Sequence, residues 1–132
     1  MIALDSRNDK LKKYYLKNIT DIKTTDETFS TDKNLDKLLD ESISIWFNEN
    51  KEPYEVKLHI DKKIAKYFRR KPISKSQKIL KNHEDGSIDI ILFISHDMEI
   101  IPLIKYWIPY IKVIEPKSVR DKVLKDIRVY IS

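Results

Sequence analysis

Two segments after residue 53 have the apolar pattern of β-strands. Every second residue from Tyr54 to Ile60 is apolar and the residues between them are polar, which is typical of a strand with one buried face. The segment Ile88–Ile94 has apolar residues on both faces, which predicts a central strand. Asp85-Gly86 precedes it and is a hairpin signal, so we expect Gln77–His83 to be the partner strand, near the sheet edge.

Two other stretches of this region carry apolar residues at helical spacing. The first follows Asp61, a favourable N-cap residue, and continues until Pro72 ends it. The second is expected to be capped by Asp97 and to end at Pro109. Pro102 falls in the first turn of that helix, where proline is tolerated because no backbone N–H is needed.

The end of the chain completes a mixed pattern of strands and helices. A short strand is expected at 111–115, and a terminal helix after Pro116, with Ser118 and Asp121 as a capping box. From residue 53 onward the order is therefore strand, helix, two strands, helix, strand, helix, which is the split βαβ order of ferredoxin-like domains. We predict an α+β protein with a ferredoxin-like βαββαβ(α) domain, with helices on one sheet face and the other face open.

The first 52 residues follow a different pattern. Ile2–Asp5 and Lys12–Lys23 are expected to form a β-hairpin around the polar loop 6–9, although an isolated hairpin is marginal in water. Asn34–Phe47 has apolar residues at roughly helical spacing and predicts an amphipathic helix. The predicted organisation is a hairpin at 1–30, a helix and linker at 31–52, and the ferredoxin-like domain at 53–132.

The composition is that of a globular protein with a charged surface. Hydrophobic residues make up 41% of the chain and charged residues 36%, which argues against global disorder. The chain has no cysteine, so it has neither disulfides nor thiol ligands, and this fits a reducing compartment. The longest apolar runs are far shorter than the roughly 20 residues of a membrane-spanning helix. Since the N-terminus also lacks a signal-peptide pattern, we expect a cytoplasmic protein without a membrane partner.

A run of positive charge between Lys62 and Lys81 is the sharpest functional signal. It contains nine basic residues and no acidic one, in a chain of net charge +5. Such a run is often only a solvated helix face, but like charges this dense repel one another unless an anion compensates them. Tyr54 and Tyr67 lie nearby in sequence, and tyrosine rings can stack on single-stranded bases. Core anchors are the better explanation for three further rings, Trp46, Phe68 and Trp107.

No catalytic pattern is recognisable in the sequence. His59, His83 and His96 lie in different segments and show neither HExxH nor triad spacing, and His59 is expected on the exposed face of its strand. A single glycine cannot build a glycine-rich phosphate loop, and no serine lies in a nucleophile elbow. We therefore predict no enzymatic activity, no metal site and no cofactor. A glycosidase-type carboxylate pair stays open as an alternative, because acidic residues are plentiful.

A series of short motifs follows the predicted elements in a characteristic order. They are Tyr54-Glu55-Val56, Ile60-Asp61, Ala65, Tyr67, Ser76-Gln77, Asp85-Gly86-Ser87, Val113-Ile114-Glu115-Pro116 and Ser118-Val119-Arg120. In their order and spacing they resemble the C-terminal part of WYL-domain transcriptional regulators. These bacterial proteins typically place a winged helix-turn-helix before a WYL domain and a ferredoxin-like C-terminal extension.

The N-terminal residues are similar to the end of the WYL domain, which is an Sm-like small barrel. Ile2-Ala3-Leu4 would directly follow the Trp-Tyr-Leu signature, and Tyr14–Ile19 resembles a characteristic strand of the family. The strand departs from the family pattern, because Tyr15 and Asn18 replace its usual arginines. The resemblance implies that the hairpin is a remnant of the barrel and that the chain is a fragment or truncated product without the signature and the DNA-binding region.

The resemblance implies the effector-sensing and dimerisation part of a bacterial transcriptional regulator, with nucleic acid or a nucleotide as effector. Operator DNA would be contacted by an N-terminal helix-turn-helix that is absent from this chain. The candidate contacts in the basic run are Lys63, Lys66, Arg69, Arg70 and Lys75. In the WYL part they are Lys13, Tyr15 and Lys17, where a lysine would replace the missing arginines. The alternative is a pure homodimerisation or protein-interaction module without a ligand.

Overall fold

The chain forms two compact units, residues 1–31 and 32–132. They are seen in a computed structural model, which describes residues 1–5, 7–43, 46, 48 and 50–132. Within these residues, no helix combines the length and the apolar character that crossing a bilayer requires.

The smaller unit contains a two-stranded antiparallel sheet. Its strands are β1 (Ile2–Asp5) and β2 (Lys10–Lys13), followed by a 3₁₀ turn at Leu16–Asn18. The expectation of a second strand at Lys12–Lys23 was wrong, since β2 begins earlier and ends at Lys13. The four residues of β1 pair with only four residues of β2, so the later residues find no partner in β1.

The larger unit contains a four-stranded antiparallel sheet. Its strands are β3 (Tyr54–Ile60), β4 (Lys78–Asn82), β5 (Ile88–Ile94) and β6 (Ile111–Glu115). Their order across the sheet is β4-β5-β3-β6, so the hairpin strand β5 lies between β3 and β4. The predicted α+β class is confirmed by this sheet and its helices.

In the residues described, the larger unit has four α-helices, and the last three complete the core on one face of this sheet. The helices are α1 (Lys33–Glu41), α2 (Lys62–Arg70), α3 (Ile101–Tyr106) and α4 (Lys117–Ile131). The inward residues of β3 and β5 are at most 2% exposed and pack with residues of α2, α3 and α4 in a single cluster. Each fully buried Leu or Ile contributes roughly 1.5–3 kcal/mol. The strand pattern therefore determines which sheet face receives the helices.

The helix α1 is shorter than predicted. It ends at Glu41, whereas the apolar spacing predicted a helix to Phe47, a residue that lies outside those described. Ser42 Oγ donates to the carbonyl of Leu39 at 2.9 Å, and the N–H of Ile43 donates to the Glu99 carboxylate at 3.1 Å. The helix stops here because the N–H of Ile43 bonds to a side chain on another element rather than to the preceding turn.

The helix caps were predicted with mixed success. Asp61 caps α2 as expected, with its carboxylate accepting the N–H of Lys63 at 2.8 Å. The expected capping box at Ser118 and Asp121 was wrong, because α4 begins after Pro116 without a side-chain cap. Pro116 is itself the N-cap residue, with extended backbone angles, and its side chain has no acceptor for the N–H groups of the first turn.

The expected cap at Asp97 was also wrong. His96 is the N-cap of a 3₁₀ turn at Asp97–Glu99 that leads into α3, and its Nδ1 accepts the N–H of Met98 at 3.1 Å. Asp97 instead accepts hydrogen bonds from the Tyr54 hydroxyl and the Lys122 ammonium. Those tertiary partners take the carboxylate away from the backbone, which local sequence does not reveal.

Candidate nucleic-acid interface

The exposed face of α2 is strongly cationic. It is formed by Lys62, Lys63, Lys66, Arg69 and Arg70, all exposed. The helical spacing places the cations on the outer face and three apolar residues on the face toward the core. These three are 5% exposed or less: Ile64, Ala65 and Phe68. Among the described residues, no carboxylate lies within 4.0 Å of any of these five cations. Lys62 also acts electrostatically on the Asp85 carboxylate, and the charge of the other four cations is open to an external anion.

A row of aromatic rings lies beside these cations. Tyr67, on α2, is 46% exposed and stacks on Trp107, with ring centroids 6.0 Å apart and planes at 28°. Trp107 also meets Phe68 and Tyr106 edge to face, at 5.8 Å and 5.1 Å. The buried Phe68 ring anchors this row to the core, while Tyr106 is 78% exposed. The row thus offers ring surface to solvent from a fixed position.

Two lysines of α2 lie over ring faces. Lys66 Nζ is 5.2 Å from the Tyr67 centroid, and Lys63 Nζ is 5.2 Å from the Tyr110 centroid. These are cation–π distances, so the ammonium groups are held near the rings. We call the outer cations of α2 together with Tyr67, Tyr106, Trp107 and Tyr110 the aromatic–basic surface. Cations beside ring faces are what single-stranded nucleic acid needs, for its phosphates and its bases respectively.

The candidate contacts predicted from sequence occupy three places. Lys63, Lys66, Arg69 and Arg70 share α2, and Arg69 Nη1 also donates to Asn82 Oδ1 on β4 at 2.6 Å. Lys75 lies in the loop after α2 and is ion-paired with Asp40 at 2.8 Å. Lys13, Tyr15 and Lys17 belong to the smaller unit, where Lys17 Nζ lies 5.8 Å from the Tyr15 ring centroid.

The predicted roles of the other rings are partly revised. Tyr54 is not a free stacking platform, because it is partly buried, its hydroxyl donates to Asp97, and burial raises the pKa of Tyr54. Phe68 is a core anchor as predicted, and Trp107 packs partly against the core. Trp46 is not an anchor, since it is 49% exposed and stacks on His96 with centroids 6.2 Å apart.

A second polar cluster lies on the open face of the sheet and was missed from the sequence. His59 on β3 and Asp89 on β5 are direct cross-strand partners, and His83 follows β4. His59 and His83 lie in different segments without a metal-binding or triad spacing, so the sequence predicted no site there. The hairpin signal at Asp85-Gly86 indicates that positions 83 and 89 lie close together. Only the pairing register of β3 with β5 shows that His59 lies beside them.

Comparison with known families places the larger unit. A family model for the WCX domain matches residues 52–130. The chain belongs to the WCX domain family. WCX domains are C-terminal domains associated with WYL-containing regulators, so the resemblance of this region to the end of such regulators is supported at the level of the domain. No curated protein matches the chain significantly.

The WCX domain contains both polar features described above. The matched residues 52–130 run from just before β3 to the last turn of α4, and they include α2, the aromatic row and the histidine cluster. The cationic α2 and its rings are therefore part of the WCX domain itself.

Proposed function

We propose that this WCX domain is the effector-sensing and dimerising part of a bacterial WYL-type transcriptional regulator, without enzymatic activity. In this proposal it binds single-stranded nucleic acid or a nucleotide through the aromatic–basic surface. The observation that carries the proposal is the set of five cations on α2 without a carboxylate within 4.0 Å among the described residues, beside the exposed Tyr67 ring. Operator DNA would be contacted by a helix-turn-helix elsewhere in the regulator.

The proposed contacts divide into two chemical roles. Lys63, Lys66 and Arg70 contact phosphates, where each contact releases counterions and carries no sequence information. Tyr67 is held in place by Trp107 on one side of its exposed ring, and it stacks on a base when Lys66, whose ammonium lies over the ring in the free protein, moves to a phosphate. Arg69 is oriented by Asn82 toward the β4 side of the surface.

The remaining candidates have smaller roles in the proposal. Lys75 contributes less than the α2 cations because Asp40 already compensates its charge. Lys13, Tyr15 and Lys17 would form a separate contact in the smaller unit, where the Lys17 ammonium lies against the Tyr15 ring.

Fluorescence anisotropy of labelled oligonucleotides tests this proposal. Single-stranded RNA, single-stranded DNA and duplex DNA of equal length are titrated with the chain at low salt. We expect both single strands to bind more tightly than the duplex, because their bases can unstack onto Tyr67. Equal affinity for all three would reduce the proposal to charge attraction alone, and absence of binding at low salt would contradict it.

Homodimerisation without a ligand is the second candidate, and exposed apolar residues on α4 favour it. Leu124 is 43% exposed, Val129 68%, Tyr130 89% and Ile131 73%. Clustered exposed apolar residues often mark interaction sites. Size-exclusion chromatography with light scattering, combined with the oligonucleotide titration, distinguishes the candidates. A salt-insensitive dimer that Tyr130→Ser with Ile131→Ser converts to a monomer, together with no oligonucleotide binding, would favour this alternative.

A further inference from the structure

The open face of the WCX sheet carries two imidazoles that converge on one carboxylate. His59 and Asp89 are paired across β3 and β5, so their side chains share a face of the sheet. His83 reaches the same point from the turn between β4 and β5. That turn is fixed by a hydrogen bond from the N–H of His83 to the carbonyl of Ser87 at 3.0 Å, and by Gly86 at φ +93°. The three side chains are thus positioned by rigid elements.

The atoms of the cluster are close enough to share one ligand. His59 Nδ1 lies 2.7 Å from Asp89 Oδ1, and His83 Nε2 lies 2.9 Å from Asp89 Oδ2. One ligand atom from each residue lies within 4.8 Å of the other two. Zinc bonds of about 2.0–2.2 Å in tetrahedral geometry separate ligand atoms by about 3.4 Å. Small side-chain rotations, which move atoms by no more than about 1.4 Å, therefore suffice to reach that spacing.

Hydrogen bonding and ion pairing account for only part of this arrangement. His59 Nδ1 and Asp89 share a hydrogen bond, but His83 Nε2 is a buried nitrogen with no well-directed hydrogen bond among the described residues. A buried nitrogen without a well-directed hydrogen bond is costly, and a cation between it and the carboxylate would remove that cost.

The two imidazoles lie close to each other as well as to the carboxylate, with ring centroids 5.4 Å apart. Lys112 and Lys81 are the cross-strand partners of His59 and Asp89, and they add further positive charge to the same face. One divalent ion held by two neutral imidazoles and a carboxylate places positive charge at a single point and satisfies all three groups.

We propose that His59, His83 and Asp89 bind a divalent transition-metal ion, with Zn²⁺ as the expected occupant. Imidazole and carboxylate are its ordinary ligands, and three protein ligands leave a fourth position open to water or to an external ligand. The side chains are 34%, 28% and 19% exposed, so the fourth position faces solvent. Lys81 and Lys112 on the same face favour an anionic group there. The ion would also fasten the β4–β5 hairpin to β3.

Isothermal titration of the untagged, chelator-treated chain with ZnCl₂ tests the proposal. We expect one Zn²⁺ per chain and a higher melting temperature in its presence. His59→Ala and His83→Ala should each weaken binding at least about tenfold, because loss of even an outer-shell partner costs that much. His96→Asn is the matched control, since it removes the third imidazole but keeps an acceptor at the N-cap, and it should bind as the wild type does.

Two results would overturn the site. The first is the absence of binding to the wild type, and the second is binding that His59→Ala and His83→Ala leave unchanged, which would place the ion elsewhere. If either variant folds poorly, ¹⁵N spectra of wild-type imidazoles replace it. Zn²⁺ should then shift the ring resonances of His59 and His83 and not those of His96, and any other pattern counts against the site.

Discussion

Replacing Glu99 by alanine is expected to destabilise the WCX domain more than any surface substitution. Glu99 is 3% exposed, and its Oε1 accepts the N–H and the hydroxyl of Ser95, at 2.8 and 2.9 Å, and the N–H of His96 at 3.1 Å. Its Oε2 accepts the N–H of Ile43 at 3.1 Å. One buried carboxylate therefore joins the end of β5, the turn before α3 and the segment after α1.

The size of the effect follows from the donors left without an acceptor. A hydrogen bond to a charged group contributes about 1.5–3 kcal/mol, and an orphaned buried donor costs about 1–3 kcal/mol. Because water reaches part of the cavity and the bonds are not additive, we expect Glu99→Ala to cost about 3–4 kcal/mol. In Glu99→Gln, the amide oxygen can keep the Ser95 and His96 bonds, but the NH₂ group faces the Ile43 N–H. That variant should lose one bond, about 1–3 kcal/mol.

Urea unfolding followed by circular dichroism measures these differences, and amide hydrogen exchange locates them. Glu99→Gln should increase exchange at Ile43 more than at Ser95. Glu115→Ala is the control, because Glu115 is exposed and its ion pair with Lys57, at 3.0 Å, is a surface pair that contributes at most about 1 kcal/mol. The reasoning is refuted if Glu99→Ala is no less stable than Glu115→Ala, or if Glu99→Gln leaves Ile43 as protected as in the wild type.

Three further predictions concern the interface and the smaller unit. Tyr67→Ala should weaken single-strand binding by about 1–3 kcal/mol and leave duplex binding unchanged in anisotropy titrations, and equal losses would argue against stacking. Asp61→Ala should cost about 1 kcal/mol in urea unfolding through loss of the α2 cap, and no change would make the cap bond unimportant. Arg7 and Lys12 lower the pKa of Asp5 in the folded hairpin. The ionised carboxylate therefore stabilises the hairpin above about pH 4, and this stabilisation is lost as the pH falls through the folded-state pKa of Asp5. Asp5→Asn should abolish this pH dependence, which amide chemical shifts report.

The sequence predicted best those elements whose burial repeats along the chain. The alternation at 54–60 and the apolar run at 88–94 gave β3 and β5, because their inward residues are almost fully buried and any other register would expose them. The cap of α2 was also predictable, since Asp61 bonds to the backbone two residues away. Hydrogen bonds between residues near in sequence and regularly alternating burial can both be recognised from the sequence.

The features that depend on tertiary partners could not be predicted. Asp97 has the residue type of a helix cap, but Tyr54 and Lys122 from distant segments bind it instead. The helix α1 ends early because Ile43 bonds to Glu99, which lies 56 residues away. The row of Tyr67 on Trp107 joins α2 to the end of α3, and spacing along the chain gives no sign of it. For the basic surface the sequence predicted the charges but not the neighbouring rings.

The salt dependence of single-strand binding tests the central claim most directly. If Lys63, Lys66 and Arg70 contact phosphates, the slope of log K against log salt should be about −2.1, since each contact contributes about 0.7 on single strands. Lys66→Glu with Arg70→Glu should weaken binding and flatten this slope by at least about 1.4, whereas Lys117→Glu with Lys125→Glu on α4, which changes the net charge equally, should leave it unchanged. A slope near zero, or equal losses from both charge reversals, would contradict nucleic-acid binding through α2.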